Sequence, residues 1–261
     1  MSCKIPDNIR GVILDMDGVL WRDDKPIGNL SNVFANMQER GWQVMLATNN
    51  ATQTADQYIQ KLAGFGVKVE REQIINSAQA TAQYLQQRFP DGGSVFIVGE
   101  QGLVTELERA GFSVDPKDAL AVVVGMDRKV TYDKLKIATL LIRSGVPFIA
   151  TNPDKTFPSP EGLVPGAGTF VAAIQAASDQ QPIIVGKPEP EMYQQALKLM
   201  GLKPADVLVV GDRLETDIAG AQKIDCPTAL VLSGVTTREQ ADAWKPEPDC
   251  ISEDLSKLLG L

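Results

Sequence analysis

Short apolar runs alternate with segments of helical periodicity along the whole sequence. This alternation is typical of parallel strands joined by crossover helices. Strands are predicted at residues 12–14, 43–47, 94–98, 120–124, 147–150, 182–185, 207–210 and 228–232. Apolar faces with helical spacing are predicted around residues 55–62, 170–177 and 193–200. The predicted fold class is therefore α/β with a parallel sheet.

The middle of the chain has a strand–helix alternation of its own, but its strand ends carry fewer reactive side chains. This difference predicts an α/β unit inserted into a core domain. The polar stretch 178–181 before Pro182 would mark the end of the insert, and Asn76-Ser77 would lie near its start. The predicted division is a first core segment at residues 1–79, an insert at 80–180 and a second core segment at 181–261.

The composition restricts the partners of the protein. The chain has 261 residues, 44% of them hydrophobic, and 25 basic against 33 acidic residues give a net charge of −8. No basic cluster is present to neutralise a phosphate backbone, which argues against binding to nucleic acid. The N-terminus lacks an apolar signal core, and no apolar run approaches the length of a membrane span. We therefore predict a soluble cytoplasmic protein with no membrane partner.

Two residue types restrict the chemistry further. Cys3, Cys226 and Cys250 are odd in number and lack CxxC spacing, which argues against a disulfide framework or a zinc site and for a reducing cytosol. Histidine is absent, so acid–base chemistry falls to carboxylates, Lys, Tyr or Cys. Any metal would be bound by oxygen atoms alone, which favours a hard cation such as Mg²⁺.

Polar side chains follow four of the predicted strands directly. Asp15 and Asp17 come after the apolar run 11–14, and as i and i+2 residues they would point the same way. The other strand ends carry Thr48-Asn49-Asn50, Lys187 and Asp212. Ligands of open α/β sheets bind outside the carboxyl ends of the strands, so these groups are expected to converge on one crevice.

This set of residues matches the needs of phosphoryl transfer. A phosphate ester repels an attacking carboxylate, so cations must lie close to both. Mg²⁺ bound by Asp15, Asp212 and a backbone oxygen near Asp17 would supply charge, as would Lys187, while the Thr48 hydroxyl could donate to phosphate. We assign nucleophilic attack to Asp15 and proton transfer to Asp17.

The sequence closely resembles the haloacid dehalogenase superfamily over its whole length. The matching motifs are Asp15-Met16-Asp17-Gly18-Val19, Thr48-Asn49-Asn50, Val185-Gly186-Lys187-Pro188 and Gly211-Asp212-Arg213-Leu214-Glu215-Thr216-Asp217. Further details resemble the NagD-like, para-nitrophenyl phosphatase branch, namely Thr48-Asn49-Asn50, Ala150-Thr151-Asn152-Pro153-Asp154 and Leu232-Ser233-Gly234-Val235.

The resemblance implies a Rossmann-like core in which the middle block is an α/β cap of type C2. It implies that Asp15 is the nucleophile, that Asp17 is the acid/base, and that Asp15, the Asp17 carbonyl and Asp212 bind magnesium. It also implies that Thr48, Asn49 and Lys187 hold the phosphoryl group, with Asp217 next to the metal ligands. Dehalogenases lack an acid at the position of Asp17, so its presence favours phosphate esters.

Simpler roles stay open for two of these residues. Asp217 falls in an expected first helical turn, where the helix dipole alone favours a carboxylate. Asn50 is a candidate for binding phosphate, and it is equally a candidate for capping the helix expected to start near Thr52 or Thr54.

In the cap, the stretch 152–158 follows a strand and is stiffened by prolines, so its loop would contact the substrate beyond the phosphate. Asn152 and Phe157 are the candidates for specificity, with ordinary packing as the alternative for Phe157. The resemblance also implies homodimerisation through the cap.

The predicted function is that of a magnesium-dependent phosphatase for small phosphomonoesters, with an aspartyl-phosphate intermediate on Asp15. A phosphomutase or phosphotransferase could use the same intermediate, and a non-catalytic metabolite-binding module could keep the fold without turnover. The sequence does not identify the physiological substrate.

Overall fold

The computed structural model describes residues 5–159 and 161–261. Within these residues the strands are β1 (Gly11–Leu14), β2 (Trp21–Arg22), β3 (Lys25–Pro26), β4 (Gln43–Thr48), β5 (Ile74–Asn76), β6 (Gly93–Val98), β7 (Phe112–Val114), β8 (Val122–Val124), β9 (Phe148–Ala150), β10 (Thr156–Ser159), β11 (Gly162–Pro165), β12 (Ile183–Ile184), β13 (Val207–Gly211), β14 (Thr228–Val231) and β15 (Cys250–Ser252).

The α-helices in the same part of the chain are α1 (Leu30–Glu39), α2 (Ala55–Gly64), α3 (Ser77–Arg88), α4 (Gln101–Arg109), α5 (Tyr132–Arg143), α6 (Ala167–Ser178), α7 (Glu191–Met200), α8 (Ala219–Gln222), α9 (Arg238–Ala243) and α10 (Leu255–Leu259). Short 3₁₀ turns lie at Arg71–Gln73 and Pro204–Asp206, and a π-helical turn lies at Leu214–Ile218.

The larger sheet is parallel, with its strands in the order β15-β14-β13-β1-β4-β5. The central strand β1 is buried along its whole length between β13 and β4. Strands of such sheets are covered on both faces by helices, which explains their continuous apolar sequences. The chain places β4 and β5 on one side of β1 and then β13, β14 and β15 on the other. Ligands bind at such a reversal of strand order in this architecture. The predicted α/β fold class is confirmed.

The smaller sheet is also parallel and has the strand order β12-β9-β8-β6-β7. Two antiparallel hairpins accompany the sheets, one formed by β2 and β3 and the other by β10 and β11. The smaller sheet includes β12, which lies beyond residue 180, where the insert was predicted to end. The division of the chain into a core and an inserted unit stays a prediction.

The two sheets are packed together. Ile13 and Ala47 of the larger sheet share one buried hydrophobic cluster with Val95 and Ile97 of the smaller sheet. On α4, Gly102 approaches the loop before α2 so closely that a Cβ would stand 2.5 Å from the backbone carbonyl carbon of Thr52. Only glycine fits such an approach. The smaller sheet is thereby held next to the carboxyl end of β4.

Two features of the described residues concern the predicted cellular setting, namely the helices and the cysteines. No helix among them combines the length and the apolarity that a membrane crossing requires. Cys226 is a buried free thiol, Cys250 is disulfide-bonded, and Cys3 lies outside the described residues. The disulfide at Cys250 weakens the cysteine argument for a reducing compartment, because an odd count does not exclude a single pair. The cytoplasmic location stays a prediction.

Candidate active site

A crevice opens at the carboxyl ends of β1, β4 and β13, and protein atoms leave about 570 Å³ of it empty. The structure places every residue predicted for the site on its wall: Asp15, Asp17, Thr48, Asn49, Asn50, Asn152, Phe157, Lys187, Asp212 and Asp217. The parallel strands of the larger sheet end at one edge and bring together the residues that follow β1, β4 and β13. Lys187, Asn152 and Phe157 come from the side of the smaller sheet, where they follow β12, follow β9 and lie in β10. What each side chain does chemically stays a prediction.

Lys187 lies at the centre of the crevice floor, with only 2% of its surface exposed. Its Nζ donates to Asp15 Oδ1 at 2.5 Å, to Asp217 Oδ1 at 2.6 Å and to the Ala47 carbonyl at 2.9 Å. Burial by itself lowers the pKa of a lysine, but the Asp15 and Asp217 carboxylates outweigh it and raise the pKa of Lys187 well above its ordinary value. The ammonium is therefore a fixed positive charge.

Three buried carboxylates cluster on this side of the crevice, where oxygen atoms of Asp15, Asp212 and Asp217 lie within 4.8 Å of one another. Burial raises the pKa of Asp15 well above its ordinary value, and the neighbouring carboxylates add to the effect. Burial together with the Asp217 charge raises the pKa of Asp212 to about 7. The Lys187 ammonium pairs with Asp15 and Asp217, so the cluster of three acids is left with a deficit of positive charge. This all-oxygen donor set fits a hard divalent cation.

The loops around Asp212 are shaped to receive its carboxylate. The Val235 backbone N–H donates to Asp212 Oδ2 at 2.7 Å. Gly18 has φ +86°, and a Cβ on it would stand 2.5 Å from the same oxygen. A side chain at that position would be strained and would clash with the acid. The Asp-x-Asp-Gly motif thus needs its glycine so that the loop after β1 can approach Asp212.

Asp217 has more partners than a helix dipole explains. It lies in the π-helical turn after β13, where its Oδ2 accepts from the backbone N–H groups of Asp212 at 3.2 Å and Arg213 at 3.0 Å. Its Oδ1 accepts from Lys187 at 2.6 Å. Asp217 therefore fixes the loop that carries Asp212 and also holds the buried lysine.

Asp17 is only partly buried and stands at the lip of the crevice. Its Oδ1 accepts from the Trp21 indole N–H at 2.9 Å, and its Oδ2 accepts from Asn50 Nδ2 at 3.4 Å. The capping alternative for Asn50 is wrong, because Thr54 is the N-cap of α2 and forms its capping box. Asn50 instead accepts from the Thr52 N–H and hydroxyl, which points its amide nitrogen at Asp17.

Asn49 is committed to contacts inside the protein. Its Nδ2 donates to the Lys187 carbonyl at 2.9 Å and to Asp154 Oδ2 at 3.1 Å, and its Oδ1 accepts from the Lys187 N–H at 2.8 Å. These bonds use both amide hydrogens and anchor the loop that carries the buried lysine. The Thr48 hydroxyl accepts from the Asn50 N–H at 3.1 Å and keeps its own proton for a further acceptor.

The smaller sheet supplies the other wall of the crevice. Asn152 is buried, and its amide donates to the Asn49 carbonyl at 2.7 Å. Phe157 lies 5.8 Å beneath the Arg128 guanidinium. The stretch 152–158 was predicted to be a loop, but Thr156–Ser159 is the strand β10 paired with β11, so that part of the prediction is wrong. Proline is tolerated there because a two-stranded hairpin is all edge.

Asp154, Arg213 and Trp21 are among the residues of the site that were not predicted. Asp154 lines the crevice, and burial raises its pKa. Arg213 donates to the Thr156 carbonyl at 3.1 Å and so joins the loop after β13 to the β10–β11 hairpin. Arg213 directly follows Asp212 and Asp154 lies two residues after Asn152, and this proximity in the sequence was the available signal. No signal in the sequence indicated Trp21, because an aromatic residue near an apolar run is ordinarily predicted to be part of the hydrophobic core.

Sequence models of two known families match the chain. One is described as haloacid dehalogenase-like hydrolase and matches residues 12–113. The other is described as HAD-hydrolase-like and matches residues 184–258. The 5'-nucleotidase YutF of Bacillus subtilis is 34% identical over 239 residues, which is 91% of this chain and 93% of that protein.

Solved structures agree with these matches. A p-nitrophenyl phosphatase from Archaeoglobus fulgidus has a TM-score of 0.89 and 33% identity, covering 97% of this chain and 98% of its own. The glycerol phosphate phosphatase Rv1692 from Mycobacterium tuberculosis, in complex with magnesium, has a TM-score of 0.88 and 32% identity, covering 96% of this chain and 76% of its own.

Proposed function

Because the chain belongs to the haloacid dehalogenase-like hydrolases and is a phosphoric monoester hydrolase, we propose that it hydrolyses small phosphomonoesters with Mg²⁺ and an aspartyl-phosphate intermediate on Asp15. The predicted p-nitrophenyl phosphatase branch is confirmed by the likeness to the A. fulgidus enzyme. A non-catalytic metabolite-binding module is therefore no longer an alternative.

One observation carries this proposal: the Lys187 ammonium bridges Asp15 and Asp217 on the floor of a crevice that Asp212 and Asp17 also line. A buried cation beside the nucleophile lowers the repulsion between a carboxylate and a phosphate dianion. The Thr48 hydroxyl supplies a donor for a phosphate oxygen on the same floor.

The residues present divide the reaction into two steps. In the first, an Asp15 oxygen bonds to phosphorus while the ester P–O bond breaks, and Asp17 gives its proton to the departing oxygen. In the second, Asp17 takes a proton from water as the water oxygen bonds to phosphorus. The bond between phosphorus and Asp15 breaks, which releases inorganic phosphate and restores the free carboxylate.

Asp15, Asp212 and the backbone carbonyl of Asp17 would hold the metal, with Asp217 beside them. When bound, Mg²⁺ would neutralise charge on the phosphoryl oxygens and on the acids. The pKa of Asp212 near 7 supports this role, because a cation would favour the ionised form that burial disfavours. The magnesium complex of Rv1692 is a further support.

The smaller sheet would act as the cap and select the group beyond the phosphate. Phe157 and Asn152 reach the crevice from that side. The relatives are named for a 5'-nucleotide, a nitrophenyl ester and glycerol phosphate, so the family accommodates several leaving groups. The substrate would be a small phosphorylated metabolite. Homodimerisation through the cap stays a prediction.

The test is to replace Asp15 with Asn and measure inorganic phosphate released from p-nitrophenyl phosphate in the presence of Mg²⁺. The variant should lose turnover by roughly 10⁴-fold or more, because an amide cannot attack phosphorus. A chelator should remove wild-type activity, and added Mg²⁺ should restore it. Near-normal rates in the variant would refute the assignment of the nucleophile, and phosphate release only with an added sugar acceptor would identify a phosphotransferase.

A further inference from the structure

Trp21 makes a hydrogen bond to Asp17 that could not be predicted from its position in the sequence. Its side chain is fully buried, and its Nε1–H donates to Asp17 Oδ1 at 2.9 Å. A buried indole N–H requires an acceptor, and here the acceptor is the carboxylate assigned to proton transfer. The packing of the larger sheet thereby reaches the reacting end of the crevice.

The indole ring is held on its sides by three neighbours. Tyr58 stacks against it with ring centroids 6.3 Å apart and planes 16° apart, and Phe65 packs at 6.1 Å with a tilt of 42°. The Lys61 ammonium lies 4.6 Å from the centroid of the indole ring. With these contacts the ring cannot rotate without breaking the packing. The direction of its N–H is therefore fixed.

The backbone between the two residues is equally constrained. The Gly18 N–H donates to the Trp21 carbonyl at 2.7 Å, and the Leu20 N–H donates to the Met16 carbonyl at 2.8 Å. This tight turn brings Trp21 back onto the residue that lies four positions before it. Movement of Asp17 relative to the indole would require opening the turn.

The two oxygens of Asp17 are held differently: Oδ1 accepts the Trp21 N–H at 2.9 Å, and Oδ2 accepts a longer hydrogen bond from Asn50 Nδ2 at 3.4 Å. Oδ2 has the weaker of the two bonds, and its partner Asn50 lines the crevice, so Oδ2 is the oxygen that can exchange a proton with a bound substrate. We propose that Trp21 is a positioning residue that directs proton transfer through Asp17 Oδ2. This inference rests on the acid/base role of Asp17 in the proposed function.

The two proton transfers follow from this geometry. In the first step the proton leaves Oδ2 for the ester oxygen as the P–O bond breaks, and the new carboxylate charge is stabilised by the Trp21 N–H at Oδ1. In the second step Oδ2 takes a proton from the attacking water. Oδ1 thus keeps its short hydrogen bond to Trp21, while Oδ2, with its longer bond from Asn50, exchanges the proton.

The test replaces Trp21 with Phe, which keeps an aromatic ring and removes the N–H. The measurement is kcat/KM for glycerol phosphate and for p-nitrophenyl phosphate with saturating Mg²⁺. The ester oxygen of glycerol phosphate is a poor leaving group unless it is protonated as the P–O bond breaks, whereas p-nitrophenolate leaves as a stable anion. We expect kcat/KM to fall by about 10-fold or more for glycerol phosphate and by less than about 3-fold for p-nitrophenyl phosphate.

Phe65→Leu is the matched control, because it removes a ring that packs on the indole and leaves the N–H in place. It should lower the melting temperature and reduce kcat/KM for both substrates by the same factor. In an Asp17→Asn background, Trp21→Phe should add no further difference between the two substrates.

Equal losses for the two substrates in Trp21→Phe, or no loss, would overturn the role of Trp21. If Asp17→Asn itself failed to discriminate between leaving groups, the acid/base assignment of the proposed function would fail instead. Should Trp21→Phe not fold, β-3-benzothienylalanine at position 21 keeps the fused rings and has sulfur in place of the N–H. It should give the same selective loss, and unchanged ratios with that residue would equally overturn the inference.

Discussion

Two strands of the molecule end in nearly the same sequence, but the buried aspartates that follow them have different partners. In the smaller sheet, β8 continues as Val124-Gly125-Met126-Asp127, and in the larger sheet β13 ends as Val210-Gly211-Asp212. Both acids are 2% exposed. The likeness of the two strand ends predicts a shared way of leaving a strand, and it leaves open whether either acid is chemically active.

The difference lies in the partners of the two carboxylates. Asp127 Oδ2 accepts from Lys134 at 2.5 Å and Asp127 Oδ1 accepts from the Lys129 N–H at 2.8 Å, so its own loop and the following helix neutralise it. Asp212 accepts from one backbone N–H and faces Asp15 and Asp217. A buried acid whose neighbours are acids stays ionised only beside a further cation, and without one it takes up a proton.

The comparison of Asp212 with Asp127 predicts that the two acids differ most in their effect on kcat. Asp212→Asn should lower kcat by about 1000-fold or more, because it removes a charged ligand from the proposed metal site. Asp127→Asn should keep kcat within about threefold of the wild type, since Asp127 is bonded within its own loop and helix. Rates of p-nitrophenyl phosphate hydrolysis in Mg²⁺ measure both variants.

A second readout separates loss of metal from loss of structure. Saturating Mg²⁺ should raise the melting temperature of the wild type and of Asp127→Asn, and it should have little effect on Asp212→Asn. Similar activity losses in the two variants would show that the two strand ends do not differ in the way their contacts indicate.

The sequence predicts a strand well where burial of apolar side chains stabilises it, and poorly where few apolar contacts do. The central strands were predicted because burial on both faces demands continuous apolar runs. The edge strands β5, β7 and β15 were missed because each has three residues and one neighbouring strand, which leaves little pattern. The β10–β11 hairpin was missed because its prolines indicated a loop.

For the site, the sequence could predict which side chains meet but not how they are bonded. Asp15 and Asp212 follow neighbouring strands of the larger sheet, whose parallel topology brings such positions together. Lys187 follows β12 of the smaller sheet and meets them because the two sheets pack together. The anchoring of the Lys187 loop by Asn49 and the contact from Trp21 to Asp17 depend on loop geometry. Such geometry arises from tertiary packing, which spacing along the chain does not encode.

The lysines that face the two acids should differ in their contribution to stability. Lys187→Met leaves two buried acids without their shared cation and should cost roughly 3–5 kcal/mol. Lys134 is 37% exposed in its side chain, and Asp127 keeps the Lys129 N–H, so Lys134→Met should cost only roughly 1–3 kcal/mol. Urea unfolding of metal-free protein gives both values. Equal costs would mean that Lys187 is not the main counter-charge of the site.

The last predicted effect concerns the pH dependence of the stability of the metal-free protein. Burial and the Asp217 charge raise the pKa of Asp212 from an ordinary 3.8 to about 7, so between these values the folded state holds a proton that the unfolded state has lost. Stability from this group is therefore full below about pH 4 and is lost as the pH rises through about 7. Between pH 5 and 8 the loss is at most about 3 kcal/mol.

Asp212→Asn removes this dependence, because an amide does not titrate. In chelator, the variant should gain stability relative to the wild type as the pH rises from 5 to 8. Asp127→Asn should be less stable than the wild type at both pH values, since it loses the ion pair with Lys134. The measurement is the free energy of unfolding in urea at each pH. A wild type that gains stability over Asp212→Asn with rising pH would mean that Asp212 is already neutralised within the protein, as Asp127 is.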